Sequence, residues 1–190
     1  MNVRTTSEVK RRRVTFVHAI LALCICAQTT CRINDSAPTV IFVVRHAEKA
    51  VTEGNDPSLS DAGRARAGAL ARVVEDTQIN AIYCTQFRRT RETAEPVIER
   101  TREAAVNTID VNMDDTQAYV ERLAADVFAK HRGQSVLIVS HSNTVPSIVE
   151  RFSGKPVAKI RDDAYGDLFI ITIGANRETK IIKAQYQAPL

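Results

Sequence analysis

The chain has 190 residues, of which 44% are hydrophobic and 25% are charged, and its net charge is +4. This length and composition are typical of one globular domain of ordinary size and argue against a low-complexity chain. The positive excess lies in residues 1–30, which hold five basic residues and one acidic residue, so the rest is neutral with 21 of each. The charge pattern therefore gives no indication of a nucleic-acid partner.

The N-terminal segment has the pattern of an export signal. Residues 1–13 carry the five basic side chains, residues 14–27 form an almost wholly apolar run of 14 residues, and Ala27 is a small residue suited to cleavage. Such a run is too short to span a bilayer comfortably, which predicts a signal peptide over residues 1–30 and a periplasmic or secreted protein. The alternative is an uncleaved anchor, in which case the membrane is a partner of the N-terminal segment alone.

Residues 31–38 are predicted to be a linker and residues 39–190 to be the folded domain. The four cysteines, at positions 24, 26, 31 and 84, lack the spacing of a metal or redox site. Lipid attachment at Cys31 and a disulfide between Cys31 and Cys84 both stay open.

The domain begins with an apolar run, Val40–Val44, that leads directly into Arg45 and His46. Such a run predicts a strand buried on both faces of a parallel sheet. The elements that follow alternate between helix and strand, in keeping with a mostly parallel sheet that ends in an antiparallel hairpin. They are predicted at residues 60–74 (helix), 80–83 (strand), 88 onward (helix), 108–111 (strand), 115–130 (helix), 135–140 (strand), 142–153 (helix), and 167–173 with 178–185 (hairpin).

A second strand, Ser135–Ser140, also ends in a histidine, His141. Parallel pairing would bring His46 and His141 to the same edge of the sheet, where α/β proteins bind their ligands. The helix after the strand at residues 80–83 opens with Arg88, Arg89 and Arg91. Helix starts disfavour cations unless an anion is present, so we expect one of these arginines to point to the same place as Arg45. The alternative for all of these residues is simple contact with water at strand and helix ends.

Four motifs in order resemble those of the histidine phosphatase superfamily, the phosphoglycerate mutase-like group. They are Val44–Glu48 (VRHAE), Leu59–Gly63 (LSDAG), Thr85–Arg89 (TQFRR) with Glu92–Ala94 (ETA), and Val139–His141 (VSH). The resemblance covers essentially residue 39 to the C-terminus and is nearest to small single-domain phosphatases. It implies a three-layer α/β/α sandwich in which His46 is the nucleophile that becomes phosphorylated, while Arg45, Arg89 and His141 hold the phosphoryl group. Ala47, Thr85 and Glu92 depart mildly from the residues common in the family.

The residue types also suit phosphoryl transfer on chemical grounds. Catalysis of that reaction is mostly positioning and charge stabilisation, and two guanidinium forks can grip a phosphoryl group bidentately. His141 and the main-chain N–H groups around Ser142 and Asn143, at a helix start, would add donors. With that much positive character the reaction requires no metal and no other cofactor, and a neutral imidazole at His46 is nucleophilic near pH 7.

The proton donor for the leaving group is not fixed by the sequence. Only 51 residues separate Arg89 from His141, so there is no room for a large lid that could carry a carboxylate. The candidates are Glu48, Asp114 and Asp115. Glu48 can instead orient Arg45 or Lys49, and either aspartate can instead cap the next helix.

These features predict a metal-independent phosphatase of the histidine acid type, which hydrolyses a phosphomonoester, a phosphohistidine or an acyl phosphate through a phosphohistidine on His46. The expected partner is a small phosphorylated substrate or a phosphoprotein. A mutase must keep its phosphohistidine from water, and a short chain without a lid does not favour that. A mutase-type phosphotransferase and a non-catalytic phosphate-binding module are the alternatives.

Overall fold

The computed structural model describes residues 37–51 and 54–187. The strands in these ranges are β1 (Thr39–Arg45), β2 (Ile79–Cys84), β3 (Ala105–Thr108), β4 (Ser135–Ser140), β5 (Asp167–Ile173) and β6 (Thr179–Gln185). The helices of the same ranges are α1 (Asp61–Val73), α2 (Arg88–Arg100), α3 (Thr116–Lys130) and α4 (Val145–Ser153). None of these helices is long and apolar enough to cross a membrane. The predicted signal peptide, Cys31 and most of the predicted linker lie outside the described residues.

All six strands form a single sheet in the order β3-β2-β4-β1-β5-β6. The pairs β2–β3, β2–β4 and β1–β4 are parallel, whereas β5 pairs antiparallel with both β1 and β6. The carboxyl ends of β2, β4 and β1 therefore lie side by side. This arrangement confirms the mostly parallel sheet with an antiparallel C-terminal edge.

Helices cover both faces of the sheet, because successive side chains of a strand point to opposite faces. Ile138 of β4 belongs to a buried cluster that includes Leu123 and the other inward residues of α3 and α4. Its neighbour Val139 belongs to a second cluster that includes Leu70 and the inward residues of α1 and α2. The three-layer α/β/α sandwich is thus confirmed.

The strand predicted at residues 108–111 is shifted, since β3 spans Ala105–Thr108. β3 pairs with β2 only as far as Cys84, where β2 ends. Beyond that point the side-chain amide of Gln86 donates to the Val111 carbonyl oxygen and accepts from the Val111 N–H, each at 2.9 Å. Side-chain bonds therefore replace strand pairing in the very segment that was predicted to be a strand.

The start of α1 packs closely against the chain that follows the first strand. The N–H of Ser60 donates to the Glu48 carbonyl oxygen at 2.9 Å, and the Ser60 hydroxyl caps α1 by accepting from the Gly63 N–H at 3.1 Å. A Cβ at position 63 would overlap the main chain of Glu48. Gly63 is therefore required for the close approach of α1 to the segment next to His46.

We expect Gly63→Ala to lower the free energy of unfolding by about 1–3 kcal/mol, because the new methyl group overpacks against main chain that cannot rotate away. Chemical denaturation checks this. Gly68→Ala, on the same helix, is the matched control: its Cβ would meet only the flexible Arg72 side chain at 3.8 Å. The control should instead raise the free energy of unfolding by about 0.5–1 kcal/mol. Equal effects of the two changes would contradict the close approach.

Candidate active site

The parallel pairing of β1 with β4 places the two predicted histidines together. Arg45 lies opposite Ser140 in this pairing, and the His46 N–H donates to the Ser140 carbonyl oxygen at 2.8 Å. The rings of His46 and His141 meet edge to face with their centroids 5.4 Å apart. Both residues are almost fully buried, with 5% and 3% of their surface exposed. The strand ends therefore form a small, largely water-excluded site.

The hydrogen bond of His46 selects its tautomer. Nδ1 lies 2.8 Å from the carbonyl oxygen of Ala47. Because a carbonyl oxygen can only accept, Nδ1 carries the hydrogen of the neutral ring and Nε2 keeps its lone pair. Ala47 is itself fixed, since its N–H donates to the Thr93 hydroxyl of α2 at 2.9 Å. Nε2 of His46 is thus the ring nitrogen whose lone pair is available.

The ring of His141 is held through Nε2, whereas that of His46 is held through Nδ1. Nε2 lies 3.0 Å from the Thr85 hydroxyl, which also lies 3.0 Å from the Thr90 hydroxyl. The main-chain N–H of His141 donates to the Thr144 hydroxyl at 3.0 Å at the beginning of α4. These contacts connect His141 to the carboxyl end of β2, where Thr85 follows the strand.

Burial keeps both imidazoles neutral. It lowers the pKa of His46 from its ordinary value to about 4. The hydrogen bond to Ala47 opposes this shift, and the charges of Arg89, Arg45 and Lys49 add smaller contributions to it. It also lowers the pKa of His141 to about 3, aided by His46, Arg89 and Arg45. The folded protein binds these protons more weakly than the unfolded chain does. Its free energy of unfolding therefore decreases as the pH falls from about 6.5 toward 4.

Arg45 is buried at the end of β1, with 7% of its surface exposed. Its Nη1 lies 2.9–3.0 Å from three main-chain carbonyl oxygens of the segment between α4 and β5, and its Nη2 donates to the Tyr165 hydroxyl at 3.3 Å. Its Nε is also buried but has no hydrogen-bond partner. An unpaired buried donor is costly, and an anion bound beside it would satisfy it.

Arg89 is half-buried, with 12% of its side chain exposed, whereas 59% of the neighbouring Arg88 side chain is exposed. Its guanidinium lies over the Phe87 ring, 4.3 Å from the centroid. Asp56, from the loop before α1, accepts from the Arg88 N–H at 2.9 Å and lies 3.7 Å from Arg89 Nη1. The first turn of α2 contains no acid of its own, so Asp56 supplies the negative charge that this helix start requires.

Two of the predicted proton donors have other partners. Both carboxylate oxygens of Glu48 bind the guanidinium of Arg66 at 2.6–2.9 Å. Burial raises the pKa of Glu48, but the hydrogen bonds and charge of Arg66, a main-chain hydrogen bond and the charge of Arg45 together outweigh burial and leave that pKa below its ordinary value. Asp115 caps α3 by accepting from the Ala118 N–H at 3.1 Å. Glu48 is therefore an ion-pair partner of Arg66, rather than of Arg45 or Lys49, and Asp115 is a helix cap.

The other predicted site residues, Asp114, Ser142 and Asn143, lie in the loops before α3 and α4. Asp114 is exposed and follows Met113, whose sulfur lies 3.8 Å from the side-chain nitrogen of Asn143. In the part of the chain that the structure describes, the main-chain N–H groups of Ser142 and Asn143 donate to no protein acceptor. They are free to meet an anion before α4. The same ranges contain no cluster of His, Cys, Asp and Glu that could hold a metal ion.

Sequence reasoning missed three contributors to this site: Asp56, Thr85 as the partner of His141, and Tyr165. Thr85 stood inside a motif but was noted only as a departure from it. Asp56 and Tyr165 come from loops, and they reach the site only through the folding of segments distant in sequence. The acid-free first turn of α2 was the one signal that could have pointed to Asp56, because a helix start with three arginines requires an external anion.

Residues 41–111 match the sequence model of the histidine phosphatase superfamily (branch 1). Residues 41–111 belong to that superfamily. The matched segment contains Arg45, His46 and Arg89, whereas His141 and Tyr165 follow it. Among curated protein sequences, none matches this chain.

Solved structures share the fold at low sequence identity. "Mycobacterial hydrolase 2" is 15% identical with a TM-score of 0.62, and the match covers 80% of this chain and 93% of that one. A mycobacterial glucosyl-3-phosphoglycerate phosphatase is 16% identical with a TM-score of 0.59, over 80% and 100% of the two chains. The protein histidine phosphatase SixA complexed with tungstate is 17% identical with a TM-score of 0.60, over 77% and 96%. Together with the histidine phosphatase match, these neighbours support a phosphatase or phosphotransferase role.

We expect the imidazole signals of His46 and His141 to titrate below about pH 5 in proton NMR, because burial disfavours the charged ring. Inorganic phosphate should raise both midpoints, since a bound anion stabilises imidazolium. The variants His46→Gln and His141→Gln assign the two signals by their loss. Midpoints near the ordinary value of about 6.5 would show that the site is open to water.

Proposed function

We propose that the protein is a metal-independent phosphatase of the histidine acid type that acts through a phosphohistidine on His46. The observation that carries the proposal is the unpaired Nε2 of a buried, neutral His46 beside a second buried histidine, the buried Arg45 and the half-buried Arg89. A site of this kind combines a nucleophile with positive charge that nearby carboxylates balance only in part. An anion with reactive phosphorus is the ligand that such a site suits best.

In the first step Nε2 of His46 attacks phosphorus in line as the bond from phosphorus to the leaving oxygen breaks. The forming charge on the equatorial oxygens is stabilised by Arg45, Arg89 and His141. In the second step water attacks the phosphohistidine, which releases inorganic phosphate and returns neutral His46. The two guanidinium groups supply the charge neutralisation that a divalent metal supplies in other phosphatases, so no step of this mechanism requires one.

The leaving oxygen requires a proton unless it is a stable anion by itself. Glu48 is bound by Arg66 and Asp115 caps a helix, so neither carboxylate is placed to donate. Asp114 is the remaining candidate, and it follows Met113, whose sulfur contacts the Asn143 side chain. Without a well-placed acid, the best substrates carry good leaving groups, such as phosphohistidine, acyl phosphates or aryl phosphates.

A phosphatase is favoured over a mutase by the chain between Arg89 and His141. The rest of α2, then β3, α3 and β4 account for most of it, and the connections are short, at residues 101–104 and 109–115. No insertion is present there that could close over a phosphohistidine. This stretch therefore provides no lid that would keep water from the intermediate, which favours hydrolysis. Two of the neighbouring structures, a glucosyl-3-phosphoglycerate phosphatase and a protein histidine phosphatase, support hydrolysis of either a phosphomonoester or a phosphohistidine.

We further propose that the protein is exported and acts in the periplasm or outside the cell. The support is the basic and apolar pattern of residues 1–30 before a neutral domain. The substrate would then be a small phosphorylated molecule or a phosphoprotein outside the cytoplasm. An uncleaved N-terminal segment would anchor the same domain at the membrane.

The purified protein should hydrolyse p-nitrophenyl phosphate in the presence of a chelator. Brief incubation with labelled substrate, followed by a quench without acid, should trap an acid-labile, base-stable phosphoryl group on His46. The variant His46→Ala should show neither label nor turnover.

His141→Ala should lose about 2–4 kcal/mol of transition-state stabilisation, the scale of one well-placed donor. Label on His141 and not on His46 would reverse the assigned roles, and activity that requires added magnesium would refute the metal-independent mechanism.

A matched pair of arginines tests the electrostatic part of the mechanism. Arg89→Ala should lower kcat/KM by about 2–3 orders of magnitude because it removes a half-buried donor to the phosphoryl group. Arg88→Ala is the control, because that neighbouring side chain is mostly exposed and pairs with Glu92. Equal losses in the two variants, measured with p-nitrophenyl phosphate, would show that only the general charge of the surface matters.

Expression of the full chain in a bacterium should yield a mature protein that is shorter than its gene product and lies outside the cytoplasm. Intact-mass measurement of fractionated cells checks this expectation. A full-length product in the cytoplasm would rule out export, and a full-length product in the membrane fraction would indicate the anchor.

A further inference from the structure

Arg45 is held by a segment that no sequence motif identified. The residues between α4 and β5, positions 154–166, run over the end of β1 and direct three carbonyl oxygens, from Arg161, Asp162 and Ala164, toward Nη1 of Arg45. Tyr165 completes the enclosure of this guanidinium. The Cζ of Arg45 lies 4.1 Å from the centroid of the Tyr165 ring, and the Tyr165 hydroxyl lies 3.3 Å from Nη2.

The donors of Arg45 divide into an occupied and an open group. A guanidinium has five N–H bonds, two on each Nη and one on Nε. The three carbonyl oxygens occupy both N–H bonds of Nη1, and the Tyr165 hydroxyl accepts one of the two on Nη2. The N–H of Nε and one N–H of Nη2 are left. Nε and Nη2 lie on the same edge of the guanidinium, and that edge can grip two oxygens of a phosphate.

The charge of Arg45 also depends on Tyr165. Within residues 37–51 and 54–187, no carboxylate lies within ion-pair distance of Arg45. Carbonyl dipoles and the electron-rich face of the Tyr165 ring therefore stabilise the positive charge of Arg45. The same ring lies 6.5 Å from the ring of His46, centroid to centroid. Tyr165 thus stands between the phosphate-binding arginine and the nucleophile.

We propose that Tyr165 is a positioning residue of the active site, which holds the guanidinium of Arg45 so that its Nε and Nη2 edge faces the phosphoryl group on His46. The ring prevents the guanidinium plane from tilting, and the hydroxyl fixes the rotation within that plane. In this role Tyr165 acts through Arg45 and not on the reacting atoms. This proposal rests on the proposed function, because it takes Arg45 as a ligand of the phosphoryl group.

The test compares Tyr165→Leu, which removes the ring, with Tyr165→Phe, which removes only the hydroxyl. Loss of the ring should lower kcat/KM for p-nitrophenyl phosphate about tenfold and weaken inhibition by inorganic phosphate by a similar factor. Loss of the hydroxyl should cost about threefold in both quantities. Tyr186→Phe is the matched control, because Tyr186 is buried and its hydroxyl has no partner. It should change neither quantity.

The same two changes are then made in an Arg45→Lys background. A lysine has no planar fork for Tyr165 to orient, so each change should cost less than about twofold there. Losses that are as large with lysine as with arginine would show a general structural effect and overturn the proposal. No loss with arginine would overturn it as well. If Tyr165→Leu fails to fold, the Tyr165→Phe pair decides by the same comparison.

Failure of the proposed function is distinguishable from failure of this inference. If the unmodified protein neither hydrolyses p-nitrophenyl phosphate nor takes up label, the phosphatase proposal is wrong. Calorimetric titration with inorganic phosphate then decides the role of Tyr165. Weaker binding in Tyr165→Leu that depends on Arg45 supports it, and unchanged binding overturns it.

Discussion

The register between β1 and β4 is the constraint on which the site depends. Arg45 lies opposite Ser140, and the His46 N–H continues the pairing to the Ser140 carbonyl oxygen. A slip of one residue would turn Arg45 and His46 to the opposite face of the sheet. Buried side chains on both faces prevent that slip, because it would exchange the residues that face α1 and α2 with those that face α3 and α4. The packing of the core thus fixes the geometry of the chemistry.

The same burial creates the electrostatic problem that the site must manage. Two guanidinium groups and two imidazoles lie close together in a region that holds little water, where like charges repel strongly. The histidines respond by staying neutral. Arg89 has Asp56 and the Phe87 ring beside it, and Arg45 has carbonyl oxygens and the Tyr165 ring. Each arginine is therefore packed against an aromatic face, and the uncompensated remainder of the charge is what a phosphoryl group would neutralise.

The parts of the structure that the sequence predicted are those set by local patterns. Apolar runs that end in Arg45, His46 and His141 predicted the strands and the shared edge, and the sheet order confirms that edge. The predicted position of β3 was wrong because the side chain of Gln86 binds the main-chain N–H and carbonyl oxygen of Val111, which lies 25 residues later in the chain. Polar residues in loops carry no periodicity that fixes their direction, so the contacts of Asp56 and Tyr165 appear only in the folded chain.

Two histidines at equivalent strand ends acquire different properties from a single hydrogen bond each. Nδ1 of His46 meets a carbonyl oxygen, which accepts only, so the neutral ring carries its hydrogen on Nδ1 and keeps its lone pair on Nε2. Nε2 of His141 meets the Thr85 hydroxyl, which can donate or accept. His141 can therefore present Nδ1 either as a donor or as an acceptor. A nucleophile requires a constant lone pair, whereas a group that assists charge formation and its reversal benefits from a proton that can move.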